Sequence, residues 1–334
     1  MTRTSVLLLS IGTAVFVALL VWQGLGSVAS TLLVAGWGLA LVAAFHLLPL
    51  ALDAGAIVVL FDRHDARRSM RDALFARWAG ESVNSLLPAG QLGGPVVMVR
   101  HLAQHGVRLP DAAAAITVST TMQVLAQILF ALLGLALFTA YAAQGALTDW
   151  QTPTLIATAV LACAIAVFYW AQRRGLFGGL LRLASKAFSG REWSALTTQA
   201  DGIDAAVRAM YRQRRKVAAT FALSFVGWLV GTCEVWLALH FLGHPISWVD
   251  ALLLESAGQA IRGAAFAIPG ALGAQEGGYL LLAPLVGLTG DAALALSLAK
   301  RTRELALGVP GIVYLYFTER NWQRRRAPPV AVAD

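Results

Sequence analysis

Charged and polar residues recur inside otherwise apolar stretches of the second half of the chain. Glu255, Gln259 and Arg262 are spaced at i, i+4 and i+7, so they share one face of a helix. The other members of this group are Glu276, Lys300, Arg301, Arg303 and Glu304. An Arg, Lys or Asp at the centre of a membrane helix costs about 2.5–3.5 kcal/mol, so ion pairs, water or a ligand must stabilise the group. Residues 305–318, which are largely apolar, follow it and place it away from a membrane edge.

Two interpretations of this group are open. In the first, the guanidinium groups of Arg262, Arg301 and Arg303 bind an anionic head group, for which their planar, bidentate geometry is suited. In the second, the three arginines form a closed network of salt bridges with the glutamates of the same group, and the network only holds helices together. The two interpretations are compatible.

Two Gly- and Pro-rich stretches interrupt apolar segments, at 80–94 (GESVNSLLPAGQLGG) and at 269–278 (PGALGAQEGG). Unpaired backbone groups are tolerated at membrane depth only inside a bundle or beside a cavity, and paired breaks in two halves point to a transporter's binding site. We therefore expect the following residues, with the members of the group above other than Lys300, to contact a substrate: Glu81, Asn84, Pro88, Gly90, Gly93, Gly94, Arg100, Pro269, Gly270 and Gln275.

Three further ionisable residues lie inside apolar segments. His46 and Asp53 are seven residues apart and share one face, and Glu234 lies in the second half. Together they could relay protons in a coupled transporter. The alternative is a set of buried polar contacts.

Other chemistries find little support. The sequence contains no H-E-x-x-H, G-x-x-x-x-G-K-[ST] or G-x-S-x-G motif. His240 and His244 have the spacing of a metal pair, but Gly243 and Pro245 break the helix around them. The two cysteines lie in apolar segments and suit packing. We expect no catalytic residue, no metal and no cofactor.

Composition indicates a polytopic membrane protein. Of the 334 residues, 58% are apolar and 13% are charged, against roughly 45–50% and 25% in soluble domains. The net charge of +8 comes from basic residues gathered in a few loops, which is an orientation signal and does not imply nucleic-acid binding.

The fold predicted is an all-α integral membrane protein with six transmembrane helices and two re-entrant helical hairpins. The hairpins are placed at 79–106 and 251–288. The spans are placed at 5–22, 31–61, 111–142, 153–171, 217–242 and 292–318. For 5–22 the alternative is a cleaved signal peptide, and for the second hairpin it is two full spans, 251–268 and 271–288.

Basic loops set the predicted orientation. The Arg-rich segment 61–77 is expected to be a cytoplasmic loop, and the N- and C-termini are expected on the same side. The basic insert 172–216 is also placed there. Within it, 176–188 has the pattern of a helix lying on the membrane surface, while 191–216 fits a surface helix or a solvated linker helix about equally.

Three crossings and one hairpin in each half predict an inverted repeat, with opposed hairpins that meet near the midplane. The first repeat is 1–150, the second is 151–320 with the insert, and 321–334 is a basic tail. A shift of 181 residues places Pro88 on Pro269, Asp53 on Glu234 and Gln123 on Glu304.

The chain resembles a known family at four stretches: 35–53 (AGWGLALVAAFHLLPLALD), 81–94 (ESVNSLLPAGQLGG), 269–278 (PGALGAQEGG) and 301–305 (RTREL). They are similar to hopanoid-biosynthesis-associated membrane proteins of the HpnL type, within the flippase-like group of the lysylphosphatidylglycerol synthase transmembrane domain. The resemblance covers about 30–318 and implies an inner-membrane protein of lipid traffic, with the motif residues lining the lipid path. The synthase's soluble aminoacyl-transfer domain is not in this sequence, so synthase activity is not implied. Pro95 stands where an acidic residue is expected.

We therefore expect a lipid translocator of the bacterial inner membrane that moves a hopanoid or an anionic phospholipid between leaflets. Half-helix N-termini and the three arginines would receive the head group. One alternative is a proton- or ion-coupled carrier of a small solute. Another is a non-transporting scaffold for lipid-synthesis enzymes. The expected partners are membrane lipid, with lipid-biosynthesis enzymes and a second copy of the chain as further candidates.

Overall fold

The computed structural model describes residues 33–61, 66–87, 93–142, 191–264 and 271–326. Within these ranges the chain is helical and contains no β-strand. The predicted all-α membrane fold is confirmed.

Ten α-helices fall in the described ranges, and a short 3₁₀ turn, Ala283–Val286, follows the ninth. Their bounds are α1 Gly38–Phe45, α2 Leu47–Val58, α3 Ala66–Leu86, α4 Gly93–Gln104, α5 Leu109–Ala142, α6 Arg191–Arg212, α7 Arg214–Phe241, α8 Trp248–Ala264, α9 Ala274–Leu282 and α10 Gly290–Arg326.

Three described segments are long and apolar enough to cross a membrane. They are Gly38–Val58, which α1 and α2 form together around His46, Leu109–Gly134 within α5, and Arg214–Phe241, which is α7. Each coincides with a predicted span. The predicted span 292–318 falls in the 37-residue α10, which carries the charged group. The predicted spans 5–22 and 153–171 lie outside the described residues.

Each predicted hairpin consists of two helices joined by a break. The second arm is short in both cases, because α4 has 12 residues and α9 has nine. At 1.5 Å per residue these arms measure about 18 and 14 Å, well below the roughly 30 Å of a hydrocarbon core. The 3₁₀ turn Ala283–Val286 directly continues the second of these arms, and the choice between a hairpin and two full spans at 251–288 stays a prediction. The connecting residues 88–92 and 265–270 lie outside the described part of the chain.

The prediction of a loop at 61–77 is wrong from Ala66 onward, where α3 begins. Ala73, Ala76 and Ala79 are fully buried at helical spacing, and these small side chains let α3 pack closely against its neighbours. Arg77 lies on this helix rather than in a loop, and it pairs with Asp53 of α2.

The two halves show the same order and spacing of helices. The first residues of α4 and α9, Gly93 and Ala274, are 181 positions apart, and so are those of α5 and α10, Leu109 and Gly290. In addition, α3 of the first half packs on α10 of the second, while α8 of the second packs on α5 of the first. Reciprocal packing of this kind is expected of two halves related by a pseudo-twofold axis. The inverted orientation in the membrane stays a prediction.

Helix α6 occupies the end of the predicted basic insert. Its residues Val207, Met210 and Tyr211 belong to one buried cluster with Ala115 and Val118 of α5. This part of the insert therefore packs against a membrane helix instead of forming a solvated linker. The predicted surface helix at 176–188 lies outside the described residues.

Candidate functional site

Ten ionisable side chains, from five helices and the break between α1 and α2, meet in the interior of the bundle, and we refer to them as the charged cluster. They are His46, Glu81, Glu234, Glu255, Arg262, Glu276, Lys300, Arg301, Arg303 and Glu304. All ten are buried or half-buried.

Helix α10 supplies four members of the cluster within five positions. Successive residues of a helix are rotated by about 100°, so the cations point to different neighbours. The Lys300 ammonium lies 2.5 Å from Glu255 of α8, the Arg301 guanidinium lies 3.2 Å from Glu276 of α9, and Arg303 Nε lies 3.1 Å from Glu234 of α7. Since Lys300 is only 2% exposed, α10 carries a cation into the core that needs this partner.

Glu304 connects three arginines. Its carboxylate accepts hydrogen bonds from Arg262 and Arg301, both at 2.9 Å, and lies 3.8 Å from Arg303. Arg262 Nη1 also donates to Gln275 Oε1 at 2.8 Å. Loss of Glu304 alone would therefore leave several buried cations with fewer partners.

Glu276 caps the N-terminus of α9. Its Oε2 accepts a hydrogen bond from the backbone N–H of Gly273 at 2.7 Å, and its Oε1 accepts from the Ser297 hydroxyl at 2.9 Å. Gly273 has φ of 78°, a left-handed conformation that favours glycine. This carboxylate thus has a capping role besides its pairing with Arg301.

His46 joins the two halves of the chain. It lies in the short break between α1 and α2, with Nε2 2.8 Å from Glu81 Oε1 and Nδ1 2.7 Å from Glu234 Oε2. Glu81 comes from the first hairpin and Glu234 from the second half. Nη1 of Arg303 lies within 3.0 Å of both ring nitrogens.

Asp53 forms a second, smaller polar group. Arg77 Nη2 lies 2.8 Å from Asp53 Oδ2, and Gln123 Nε2 donates to the same oxygen at 2.7 Å. Asp53 and Gln123 are the residues that the shift of 181 places on Glu234 and Glu304 of the charged cluster. The smaller group thus occupies the corresponding place in the first half.

A crevice opens beside the charged cluster. Part of its lining is charged and part is apolar. The charged residues are His46, Glu81, Arg303 and Glu304, and the apolar ones include Leu50, Trp78 and Leu307. Such a lining presents both kinds of surface that an amphiphile needs.

The structure brings most predicted substrate-contact residues together. Glu81, Glu255, Arg262, Gln275, Glu276, Arg301, Arg303 and Glu304 meet in or beside the charged cluster, and Gln259 joins it through a hydrogen bond to Glu255. Of the predicted proton-relay residues, His46 and Glu234 are in the cluster, whereas Asp53 is in the separate group.

Other predicted site residues have different surroundings. Asn84 Oδ1 accepts a hydrogen bond from the backbone N–H of Gly94 at 2.8 Å, which links the two arms of the first hairpin at the start of α4, where Gly93 also lies. Arg100 pairs with Glu319 in an exposed position away from the cluster. The predicted site residues Pro88, Gly90, Pro269 and Gly270 lie outside the described residues.

Two partners were not among the predicted site residues. Lys300 was noted in the charged group, but the sequence gives no reason to match it with Glu255. Arg77 was assigned to a loop, although it precedes Glu81 by four residues and would share a helix face with it. That spacing was a usable signal.

Comparison with known proteins gives a family and no individual relative. No curated protein and no solved structure matches the chain. The family model described as the lysylphosphatidylglycerol synthase TM region matches residues 8–310. This match covers most of the chain and supports a membrane protein of lipid-related function. The chain belongs to the lysylphosphatidylglycerol synthase transmembrane-region family.

Proposed function

We propose that the protein is a flippase-like lipid translocator of the bacterial inner membrane. The observation that carries this proposal is the crevice in which charged and apolar walls meet beside the charged cluster. A lipid crossing between leaflets must keep its head group out of hydrocarbon while its tails stay in an apolar environment. The crevice has both kinds of wall, but it has room for only about one water molecule, so a head group would have to displace part of the ion-pair network to enter.

The head group would be recognised by ion-pair exchange. Arg303 and Glu304 line the crevice, and Glu304 also binds Arg262 and Arg301, whose side chains are 19% and 13% exposed against 7% for Arg303. Arg262 and Arg301 thus share Glu304 as a counter-ion. A phosphate or a polar hopanoid head group would compete with this carboxylate for the guanidinium N–H donors. The same salt bridges would hold the helices together while the site is empty.

The proposed cargo is a hopanoid or an anionic phospholipid. The proposal involves no chemical step, no cofactor and no nucleic acid. It places both chain termini in the cytoplasm, on the distribution of basic residues. Lipid-biosynthesis enzymes that supply the cargo are the proposed protein partners, and a second copy of the chain is a further candidate.

Leaflet exchange in reconstituted vesicles tests the proposal. Purified protein is incorporated into liposomes that carry fluorescent phosphatidylglycerol in both leaflets, and a membrane-impermeant quencher is added outside. Protein-free vesicles lose only their outer-leaflet signal, whereas active protein exposes the inner-leaflet label as well. Labelled phosphatidylcholine and a labelled hopanoid distinguish the cargo classes.

The variant Arg301→Lys tests the head-group role, because an ammonium cannot reproduce the bidentate contact. The matched control is Arg324→Lys, an exposed position on the same helix. We expect slower exchange for Arg301→Lys and normal exchange for the control. Wild-type vesicles that lose only the outer-leaflet signal for all three labelled lipids would overturn the translocator proposal.

A further inference from the structure

His46 lies between two carboxylates that come from different helices. Its Nε2 is 2.8 Å from Glu81 Oε1 and its Nδ1 is 2.7 Å from Glu234 Oε2. Distances of this size between nitrogen and oxygen indicate hydrogen bonds, so each needs a hydrogen between the two atoms. A neutral imidazole carries one N–H and an ionised carboxylate carries none. The two contacts together therefore require one additional proton.

Arg303 also approaches the ring, but in a different direction. Its Nη1 lies 3.0 Å from Nδ1 and 2.8 Å from Nε2 of His46. The two ring nitrogens point away from each other within the ring plane, so one atom close to both cannot lie along either in-plane direction. Arg303 therefore packs over the ring, and the carboxylates of Glu81 and Glu234 take the in-plane positions.

The balance of charge in the charged cluster and the adjoining Asp53 pair points to the same proton. The charged cluster contains four permanent cations and five carboxylates, and Arg77 with Asp53 adds one of each. A protonated His46 would equalise the two signs. Without that proton, one carboxylate of the cluster would lack a compensating positive charge inside the membrane, which is costly.

The groups around His46 are suited to bind a proton and are not arranged to bind a metal ion. Glu81, Glu234 and Arg303 face the ring from α3, α7 and α10, and Glu304 lies beside Arg303. Among the described residues, no group of three or more His, Cys, Asp or Glu side chains is arranged to hold a metal ion.

We propose that Glu81, His46 and Glu234 bind one exchangeable proton, and that lipid exchange is coupled to this proton. Glu81 is 28% exposed at the crevice, whereas Glu234 is 4% exposed. A proton from water enters at the Glu81 carboxylate and passes to Nε2 of His46, while Nδ1 donates toward Glu234. The proton leaves by the reverse route.

Loss of the proton changes the contact between the two halves. The three groups then carry two negative charges on either side of a neutral ring that can donate to only one of them. Glu81 and His46 belong to the first half and Glu234 to the second, so the deprotonated state weakens an attachment between halves. The coupling rests on the translocator function proposed above, whereas the proton site rests on the geometry alone.

The proton site is tested by ¹⁵N NMR of histidine-labelled wild-type protein, without any transport. The spectrum of His46→Lys identifies the His46 signals by their loss, and Lys keeps a positive charge at this position. We expect both His46 nitrogens to respond to pH in one common step. His46 signals that stay at the values of a neutral, single tautomer from acid to alkaline pH would overturn the site.

The coupling is tested in the vesicle assay at a series of pH values. A single-proton dependence changes the exchange rate by at most about tenfold per pH unit. We expect this dependence in wild type and in His240→Gln, which alters an exposed histidine, and a flat profile in His46→Lys. Exchange that is equally pH-dependent in His46→Lys overturns the coupling. If wild type itself exchanges no lipid at any pH, the translocator proposal fails, and the NMR result still decides the proton site.

Discussion

Gly94 crosses Gly80 so closely that a Cβ atom on Gly94 would lie 2.6 Å from the Gly80 carbonyl oxygen. This crossing joins the two arms of the first hairpin, α3 and α4. The neighbour is backbone, which cannot rotate away as a side chain can. Gly94→Ala should therefore lower the free energy of unfolding by about 1–3 kcal/mol, as overpacking does. Thermal unfolding of the protein in detergent, followed by circular dichroism, measures the change.

The control is Gly277→Ala in α9. A Cβ atom there meets nothing within 4 Å, and alanine is the better helix former by about 1 kcal/mol. This variant should unfold at the wild-type temperature or above it. Equal unfolding temperatures for the two alanine variants would contradict the close crossing.

Asp53 and Arg77 form a buried pair between α2 and α3, with side chains 16% and 17% exposed. Arg77→Gln removes one partner and leaves an uncompensated carboxylate, which should cost about 3–5 kcal/mol of stability. Replacing both residues, by Asp53→Asn with Arg77→Gln, should recover most of the loss. The yield of monodisperse protein after detergent extraction provides the first measurement and thermal unfolding the second.

The matched control for this pair is exposed. Arg100 pairs with Glu319, and the Arg100 side chain is 52% exposed. Arg100→Gln should change stability by at most about 1 kcal/mol, because water solvates both partners. If Arg77→Gln and Arg100→Gln lose similar amounts of stability, burial does not determine how strongly the Asp53–Arg77 pair stabilises the protein.

Sequence patterns predicted the helical spans that fall in the described residues and most members of the charged cluster, because a charged residue in an apolar segment is easily recognised. The same patterns could not assign partners. Helical spacing places Lys300 and Arg301 on adjacent faces of α10, but only the packing of α8 and α9 shows that Lys300 meets Glu255 and Arg301 meets Glu276.

The Arg-rich segment shows a second limit of sequence reasoning. Its local composition is that of a basic loop, and only tertiary contacts show where the helix begins. The helix α3 begins at Ala66, and Ala73 and Ala76 in its first half are buried against neighbouring helices. Arg77 thereby changes from an orientation signal into an interior ion-pair partner.

Two pairs within the charged cluster should respond differently to double substitution. Lys300 and Glu255 form a buried ion pair at 2.5 Å. Lys300→Met should lower folded yield, because it leaves Glu255 without its cation, and adding Glu255→Gln should restore much of it. Glu304, in contrast, serves three arginines, so Arg301→Gln with Glu304→Gln removes a counter-ion from Arg262 and a cation from Glu276.

The comparison is read as the yield of monodisperse protein from equal membrane amounts, with Arg324→Gln as the exposed control on α10. We expect recovery in the Lys300 and Glu255 double variant and none in the Arg301 and Glu304 double variant. Equal recovery in both would mean that Glu304 does not act as the shared counter-ion of the cluster.

The opposed hairpins predict opposite sidedness for their breaks. The reporters for the two breaks are Leu87, which follows α3 and is 42% exposed, and Leu272, which is half-buried and lies just before α9. In a background carrying Cys163→Ser and Cys233→Ser, Leu87→Cys should react with a small, membrane-impermeant thiol reagent from the cytoplasmic side. Leu272→Cys should react from the outside. Arg324→Cys, at the basic end of α10, is the reference for the side that we propose to be cytoplasmic. Vesicles of both orientations are labelled and the modified fraction is measured by mass shift.

If both break cysteines react from the same side while Arg324→Cys reacts only from the cytoplasm, the inverted repeat is wrong, because an odd number of crossings per half requires the two hairpins to enter from opposite faces.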